Sequence, residues 1–252
     1  RADGSATTVT VGAIVLATGW RPAETHKYAT YGLGKHPNVV TSMDLEAMAA
    51  KGMISRPSDG RPATRVAFLL CDGEGDDAHL PYGGNVSSLV ALKQALYVRR
   101  QHTDGSAYIF YGDMQTPGQY EYFYKSVQAD PGILLSQGQV RGVTQDREGS
   151  VILEVSDTLM GGDIQIVVDL LVLSTGMVPS TLDAEGGLGL AYLQGKNVPT
   201  TKFGYADSHF ICFPYETRRT GIYSAGAVRQ AMDLAASTQD GRAASLKAIQ
   251  SI

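Results

Sequence analysis

Short, continuous apolar runs dominate the pattern of this chain. Residues 66–71 and 166–173 are apolar with little interruption, which predicts strands buried on both faces, as in a parallel sheet. Residues 7–17 first alternate between polar and apolar positions and then become apolar, which predicts an edge hairpin leading into a buried strand. Shorter strands are predicted at 107–111, near 133–135, and at 140–144, 151–156 and 221–225.

Helical patterns separate several of these runs. Residues Ser42–Ala50 are predicted to form a helix, with Thr41 as its N-cap and Asp44 at the third helical position. Residues 85–101 carry apolar side chains close to the spacing of one helix face. Further helices are predicted near 120–124 and at 238–251, and a loop is predicted at 23–40.

A connector rich in Gly, Pro and Ser at 54–62 marks a domain boundary. The chain is therefore expected to divide into residues 1–60, 61–165 and 166–252. Strands and helices alternate in the middle segment, which predicts a small α/β module.

Composition and charge exclude several classes of protein. The chain has 252 residues, 43% of them apolar and 18% charged, as in ordinary globular proteins. No apolar run is long enough to span a bilayer, so no direct membrane span is expected. The net charge is −4 and the basic residues do not form a stripe, which argues against nucleic-acid binding. Two cysteines, Cys71 and Cys212, make neither a disulfide framework nor a four-thiolate metal site, and indicate a reducing, cytoplasmic compartment.

One sequence form occurs twice. Residues 15–22 (Val-Leu-Ala-Thr-Gly-Trp-Arg-Pro) and 172–179 (Val-Leu-Ser-Thr-Gly-Met-Val-Pro) each run from an apolar strand through a small residue and Thr-Gly to Pro. A glycine directly after a buried strand permits a tight turn against a bound nucleotide, and the proline prevents a helix from following. The alternative is two unrelated strand-to-loop turns.

The pair resembles the Ala-Thr-Gly motifs of flavoproteins related to thioredoxin and glutathione reductases, and residues 221–227 resemble their late strand ending in Gly-Asp. Ala227 replaces the Asp of that strand, which puts its hydrogen bond to FAD in doubt. The resemblance implies an α/β, thioredoxin-reductase-like fold with two dinucleotide-binding domains, incomplete here, in which a three-layer α/β domain (61–165) is inserted into an FAD domain (1–60 and 166–252). It implies FAD contacts at Ala17, Thr18, Gly19, Ser174, Thr175, Gly176, Gly226 and Ala227.

Residues 66–73, 82–95 and 108–116 resemble, more narrowly, the A subunit of heterodisulfide reductase. They are also similar to the A and B subunits of the quinone-interacting membrane-bound oxidoreductase. The resemblance implies other redox subunits as partners, with membrane association, if any, through a partner. Many relatives ligate an iron–sulfur cluster with a Cys after the strand and a Tyr-Cys-x-x-x-Cys-Cys segment. This chain keeps Cys71 but has Gly83, Ser87 and Ser88 at the other three positions, so no cluster and no other metal are expected.

Two features of the resemblance are missing. No Gly-x-Gly-x-x-Gly turn follows an early strand, so the chain is expected to be a fragment without the segment that binds the ADP half of FAD. Residues 73–78 match Gly-x-Gly-x-x-Ala formally, but their carboxylates would repel a pyrophosphate, and a solvated acidic loop is the preferred interpretation.

The five histidines show no ligand spacing, and no catalytic residue is identified.

Two functions are left open. The first is an FAD-dependent electron-transfer subunit, or part of one, in a heterodisulfide-reductase-like complex. The second is a non-catalytic scaffold that keeps the α/β module for docking.

Overall fold

The computed structural model describes residues 8–23, 25–70, 80, 82–158, 161–183 and 198–252. The strands are β1 Ile14–Leu16, β2 Trp20–Pro22, β3 Val39–Thr41, β4 Arg65–Leu70, β5 Ser106–Tyr111, β6 Ile133–Gln145, β7 Val151–Asp157, β8 Gly162–Val168, β9 Leu170–Ser174, β10 Met177–Pro179, β11 Ser208–His209, β12 Phe213–Thr217 and β13 Ile222–Ser224. The α-helices are α1 Ser42–Ala50, α2 Gly84–Gln101, α3 Tyr120–Gln128 and α4 Leu234–Gln250, and short 3-10 helices span Thr25–Tyr31, Ser180–Asp183 and Gly226–Val228.

The chain divides into two compact units. Unit 1 combines Arg1–Arg21 with Val178–Ile252, and unit 2 is Pro22–Met177. These limits differ from the predicted divisions at 60/61 and 165/166. The reason is that β3 pairs with β9, which itself pairs with β4, so both flanks of the expected middle segment join its sheet. The short strands β2 and β10 pair with each other.

The sheet of unit 2 has the order β3-β9-β4-β5-β6-β7-β8. The first five strands are parallel, with Phe68 of β4 opposite Val172 of β9 and Ile109 of β5. Strands β6, β7 and β8 continue as an antiparallel meander. Because β8 also lies against β4, which is not its neighbour in the sheet, the meander folds back over the parallel strands.

Three helices cover the face of the parallel sheet that carries Val66, Phe68 and Leu70. Leu45 of α1 and Leu92 of α2 are buried against this face. Helix α2 contacts both α1 and α3, so the helices form one layer. Helices, parallel strands and meander make the three layers of the inserted α/β module, and this part of the predicted fold is confirmed.

The start of α1 follows its predicted capping box. The Thr41 hydroxyl accepts from the Asp44 N–H (3.2 Å), and the Asp44 carboxylate accepts from the Thr41 N–H (2.9 Å). This reciprocal pair satisfies two backbone donors that a helix end otherwise leaves open.

Several predicted bounds in unit 2 were wrong. The apolar run 166–173 is two strands, because Asp169 turns the chain between β8 and β9. Its carboxylate accepts from the Thr64 N–H (3.0 Å) and the Arg65 N–H (2.8 Å). The two strands predicted at 133–135 and 140–144 are one strand, β6, with an irregular register at Val140/Gly142. The helix predicted near 120–124 extends to Gln128, and the predicted loop 23–40 contains a 3-10 helix and most of β3.

The main sheet of unit 1 has the order β1-β13-β12-β11. Strands β1 and β13 are parallel, with Ile14 opposite Ile222 and Leu16 opposite Ser224. Helix α4 packs on β1, β12 and β13. Its N-cap is Asp233, whose side chain accepts from the Ala236 N–H, so the helix begins before the predicted residue 238.

The predicted edge hairpin at 7–17 is not formed, since the described part of that stretch contains only strand β1. Among all described residues, no helix is both long and apolar enough to cross a lipid bilayer.

Candidate functional site

Two of the predicted segments meet at one edge of the sheet in unit 1. Ala17–Gly19 directly follow β1, and Ala225–Ala227 directly follow β13. Because the two strands are parallel neighbours, both segments leave the sheet at its carboxyl edge, and the Ala225 N–H donates to the Leu16 carbonyl (3.0 Å). In open α/β sheets this edge is where ligands bind.

Glycines shape the backbone at this edge. Gly19 has φ +76° and Gly226 has φ +72°, a region that disfavours side chains. A Cβ added at Gly19 would meet no atom within 4 Å, so the backbone there is open to a ligand. The Gly19 carbonyl accepts from both the N–H (3.2 Å) and the hydroxyl (3.1 Å) of Ser180, which hold the turn in place.

A buried carboxylate supports the end of β13. Asp240 of α4 is only 6% exposed, and its Oδ2 accepts from the Gly226 N–H (2.7 Å) and from Arg229 Nε (3.1 Å). A second Arg229 nitrogen donates to Asp240 Oδ1, which makes the ion pair bidentate. The Arg229 guanidinium also lies 5.0 Å from the centroid of the Tyr215 ring. The Gly226 N–H is therefore already satisfied within the protein.

Sequence reasoning missed Asp240, because one acidic residue in an Ala- and Ser-rich helix gives no sign that it is buried. The burial of Ser224 was also missed, because a serine at the end of a predicted strand gives no sign of its exposure. It is fully buried at the end of β13, and its Oγ has no hydrogen-bond partner among the described residues. A buried hydroxyl without a partner is uncommon in native proteins, and Ser224 is such a case at this strand end.

The second predicted segment, Ser174–Gly176, lies in unit 2. Ser174 ends β9 and, like Thr175, is buried. The Thr175 carbonyl accepts from the buried Tyr28 hydroxyl (2.9 Å), and Gly176 has φ +69°. The segment thus also follows a parallel strand at its carboxyl end, within its own unit.

The positions that resemble cluster ligands lie at the start of α2. Gly83 is the N-cap with φ +85°, and the buried Ser88 accepts from the Gln115 N–H through its hydroxyl (3.1 Å). A Cβ at Gly84 would come within 3.0 Å of the Gln115 side chain, so Gln115 packs directly on the first turn. Iron–sulfur clusters are held by thiolates. A glycine offers no ligand, and the Ser88 hydroxyl already accepts a hydrogen bond, so these positions do not fit a cluster. Residue Cys71 and the acidic loop 73–78 lie outside the described residues.

Within the described ranges, no three His, Cys, Asp or Glu side chains converge as metal ligands.

The pKa shifts of single side chains move the pKa values further from pH 7. Burial, followed by the nearby Tyr124, raises the pKa of Tyr111. Hydrogen bonds from the Gly132 N–H and from Arg99 lower the pKa of Asp130. These residues keep their ordinary charge near pH 7.

Comparison with known proteins gives relatives over most of the chain. No protein-family profile matches. The chain is 32% identical over 246 residues to an iron-sulfur A subunit of the CoB–CoM heterodisulfide reductase of Methanopyrus kandleri, covering 94% of this chain and 37% of that protein. It is 30% identical over 233 residues to the A subunit of the H2:CoB-CoM heterodisulfide,ferredoxin reductase of Methanothermobacter marburgensis, covering 90% of this chain and 35% of that protein. The chain therefore spans about a third of the length of these relatives.

Among solved structures, the fold is similar to that of T. acidophilum thioredoxin reductase. The TM-score is 0.55 at 18% identity, over 94% of this chain and 65% of that chain. This likeness confirms the predicted thioredoxin-reductase-like fold.

Proposed function

Because the chain belongs to the family of heterodisulfide reductase A subunits, we propose that it forms part of an FAD-dependent electron-transfer subunit of a heterodisulfide-reductase-like complex. The observation that carries the proposal is the meeting of Ala17–Gly19 and Ala225–Ala227 at the carboxyl edge of the parallel strands β1 and β13. Other redox subunits are the proposed partners.

The proposed FAD contacts in unit 1 rest mainly on the backbone. Gly19 offers an open approach, whereas the Gly226 N–H is held by Asp240 and Ala227 carries only a methyl group. When bound, FAD supplies the exchange of electrons between two-electron and one-electron partners. The protein supplies position and electrostatics.

Residues Ser174–Gly176 are also proposed to contact FAD. Their support is the repeated sequence form and the turn at Gly176 directly after β9. Tyr28 holds the Thr175 carbonyl and so fixes this turn.

The outer edge of β1, which pairs with no second strand within the part of the chain that the structure describes, is the proposed junction with further strands of an FAD domain. Ile14 and Val15 are each more than a third exposed, although the neighbouring β13 is buried throughout. Parallel sheets are normally covered on both faces. A further parallel strand and its helix would therefore cover the exposed apolar side chains of β1.

We further propose that the protein lacks the Cys-ligated iron–sulfur cluster of its relatives. Support comes from Gly83, which has no side-chain ligand, and from Ser88, whose hydroxyl is used by Gln115. Iron and acid-labile sulfide analysis of the anaerobically purified natural protein should show no cluster bound to this segment. The segment-specific control is the Ser88→Ala variant, which should leave the iron content unchanged.

Flavin content tests the main proposal. The natural protein, purified intact, should show the visible absorbance of oxidised flavin and release FAD on denaturation. Gly19→Ala should lower the FAD content at least severalfold, because a side chain enters the ligand's approach. Gly34→Ala is the matched control, since Gly34 also has a positive φ (79°) and open space around its Cβ. A colourless wild-type protein, or equal loss in both variants, would contradict the proposal.

The alternative, a non-catalytic scaffold, is favoured by one observation, the absence of an Asp at position 227. A scaffold should keep its partner subunits when the flavin is stripped, as native mass spectrometry would show. Release of the partners together with the flavin would exclude this alternative.

A further inference from the structure

The turn that follows β13 has a backbone conformation that its own sequence does not impose. Gly226 has φ +72°, and glycine adopts positive and negative φ with nearly equal ease. A Cβ added at Gly226 would lie 3.7 Å from the nearest atom outside the neighbouring residues, so close packing does not impose the conformation either. Contacts to the backbone groups of Gly226 must therefore hold the turn.

One carboxylate joins the two ends of this turn. Asp240 Oδ2 accepts from the Gly226 N–H (2.7 Å) at the start of the turn and from Arg229 Nε (3.1 Å) at its end. A second Arg229 nitrogen donates to Asp240 Oδ1, and the Arg229 N–H donates to the Gly226 carbonyl (2.9 Å). Residues 226 and 229 are thus bonded to each other and to the same residue of α4.

The place of Asp240 on α4 is unusual for a carboxylate. The buried residues of this helix are Asp240, Ala244 and Ala248, spaced about one turn apart, and the buried stripe of a helix normally carries apolar side chains. Helix α4 contacts both β13 and the turn that follows it. A buried ion pair stabilises a protein little more than apolar residues of the same size would, so the backbone geometry that the pair imposes explains it better than stability does.

Arg229 also neutralises this carboxylate at the strand end where FAD is proposed to bind. A dinucleotide is anionic, and a lone carboxylate close to it would repel it. The bidentate ion pair cancels the charge of Asp240, and the Arg229 guanidinium is itself held 5.0 Å from the centroid of the Tyr215 ring. A carboxylate can therefore fix the turn here without opposing an anionic ligand.

We propose that Asp240 and Arg229 are positioning residues for FAD. Asp240, neutralised by Arg229, holds Gly226 in the conformation from which residues 226 and 227 contact the cofactor. The inference rests on the proposed function and deepens it, because both side chains lie outside the segments that resemble flavoprotein motifs. Without the carboxylate, the turn would adopt the binding conformation for only a fraction of the time, and the apparent affinity for FAD falls by that fraction.

Two double variants of the intact natural protein separate positioning from stability. Arg229→Met with Asp240→Asn and Arg229→Met with Asp240→Ala both remove the ion pair and leave no charge at these positions, but only the asparagine keeps an oxygen that can accept from the Gly226 N–H. Uncharged replacement of a buried ion pair is often tolerated, so both variants should fold, as circular dichroism checks. Titration of the flavin-stripped proteins, followed by flavin fluorescence, should give an FAD affinity within about threefold of the wild type for the asparagine variant and about tenfold or more below it for the alanine variant.

Hydrogen–deuterium exchange over residues 222–230 measures the order of the turn directly. In the flavin-stripped proteins, the Gly226 amide of the alanine variant should exchange at least about tenfold faster than that of the asparagine variant. Equal FAD affinity in the two double variants, equal exchange of this amide, or failure of both variants to fold would overturn the inference without affecting the proposed function. A wild-type protein that contains no flavin would overturn the proposed function and this inference together.

Discussion

Asp240 stabilises unit 1 through a single buried carboxylate that serves both Gly226 and Arg229. Asp240→Asn keeps the shape but leaves the mostly buried Arg229 without its counter-charge, and should lower the free energy of unfolding by about 3 kcal/mol. Asp207→Asn is the control, because its ion pair with Arg218 is largely exposed and should change stability by less than about 1 kcal/mol. Thermal and urea unfolding of both variants measure the difference. Equal losses of unfolding free energy would mean that the buried ion pair of Asp240 stabilises the protein no more than the exposed one of Asp207.

Asp130 contributes a pH-dependent part of the stability. The Gly132 N–H, followed by Arg99, lowers its pKa in the folded protein, so the folded state holds the proton less tightly than the unfolded chain does. Its contribution is therefore complete above the ordinary carboxyl pKa of about 4 and is lost as the pH falls through the lower folded value. Urea unfolding of wild type and Asp130→Asn should differ most above about pH 5 and converge in acid. A difference that grows in acid would contradict this sign.

At the scale of single elements, the capping box of α1 can be tested by an isosteric change. Thr41→Val preserves the shape and strand preference of this β3 residue but removes the hydroxyl that caps α1. It should cost about 1 kcal/mol of unfolding free energy. Thr144→Val in β6 is the control, since Thr144 is exposed in a strand and should change stability by less than about 0.5 kcal/mol. Circular dichroism during urea unfolding measures both.

Local chemistry was sufficient to predict α1 and α2, because capping residues and one-face spacing act within a few residues. It was insufficient for β8 and β9. Asp169 interrupts the apolar run of these two strands. The turn at Asp169 depends on the distant Thr64 and Arg65, whose backbone N–H groups donate to its carboxylate. The paired Thr-Gly segments were found from sequence, whereas Asp240 and Ser224 were not, since burial of a lone polar side chain depends on tertiary packing.

At the scale of the whole molecule, unit 2 carries a complete core. Every residue of its main hydrophobic cluster, from Val40 to Val172, lies between Pro22 and Met177. Residues 22–177 expressed alone should therefore unfold cooperatively on heating. Residues 61–165, the segment expected from sequence, lack β3, α1 and β9 and should fail to fold. Calorimetry and circular dichroism compare the two segments; a stable 61–165 would show that β9 is dispensable.

The parallel pairing of β1 with β13 also determines when unit 1 can form. Ile14 is opposite Ile222, about 200 residues later in the chain. At ribosomal rates of about 5–20 residues per second, β1 waits roughly 10–40 s for its neighbour, while all of unit 2 is synthesised in between. Unit 2 can fold on the ribosome during this interval, whereas β1, with its apolar side chains, has no neighbouring strand until synthesis reaches β13.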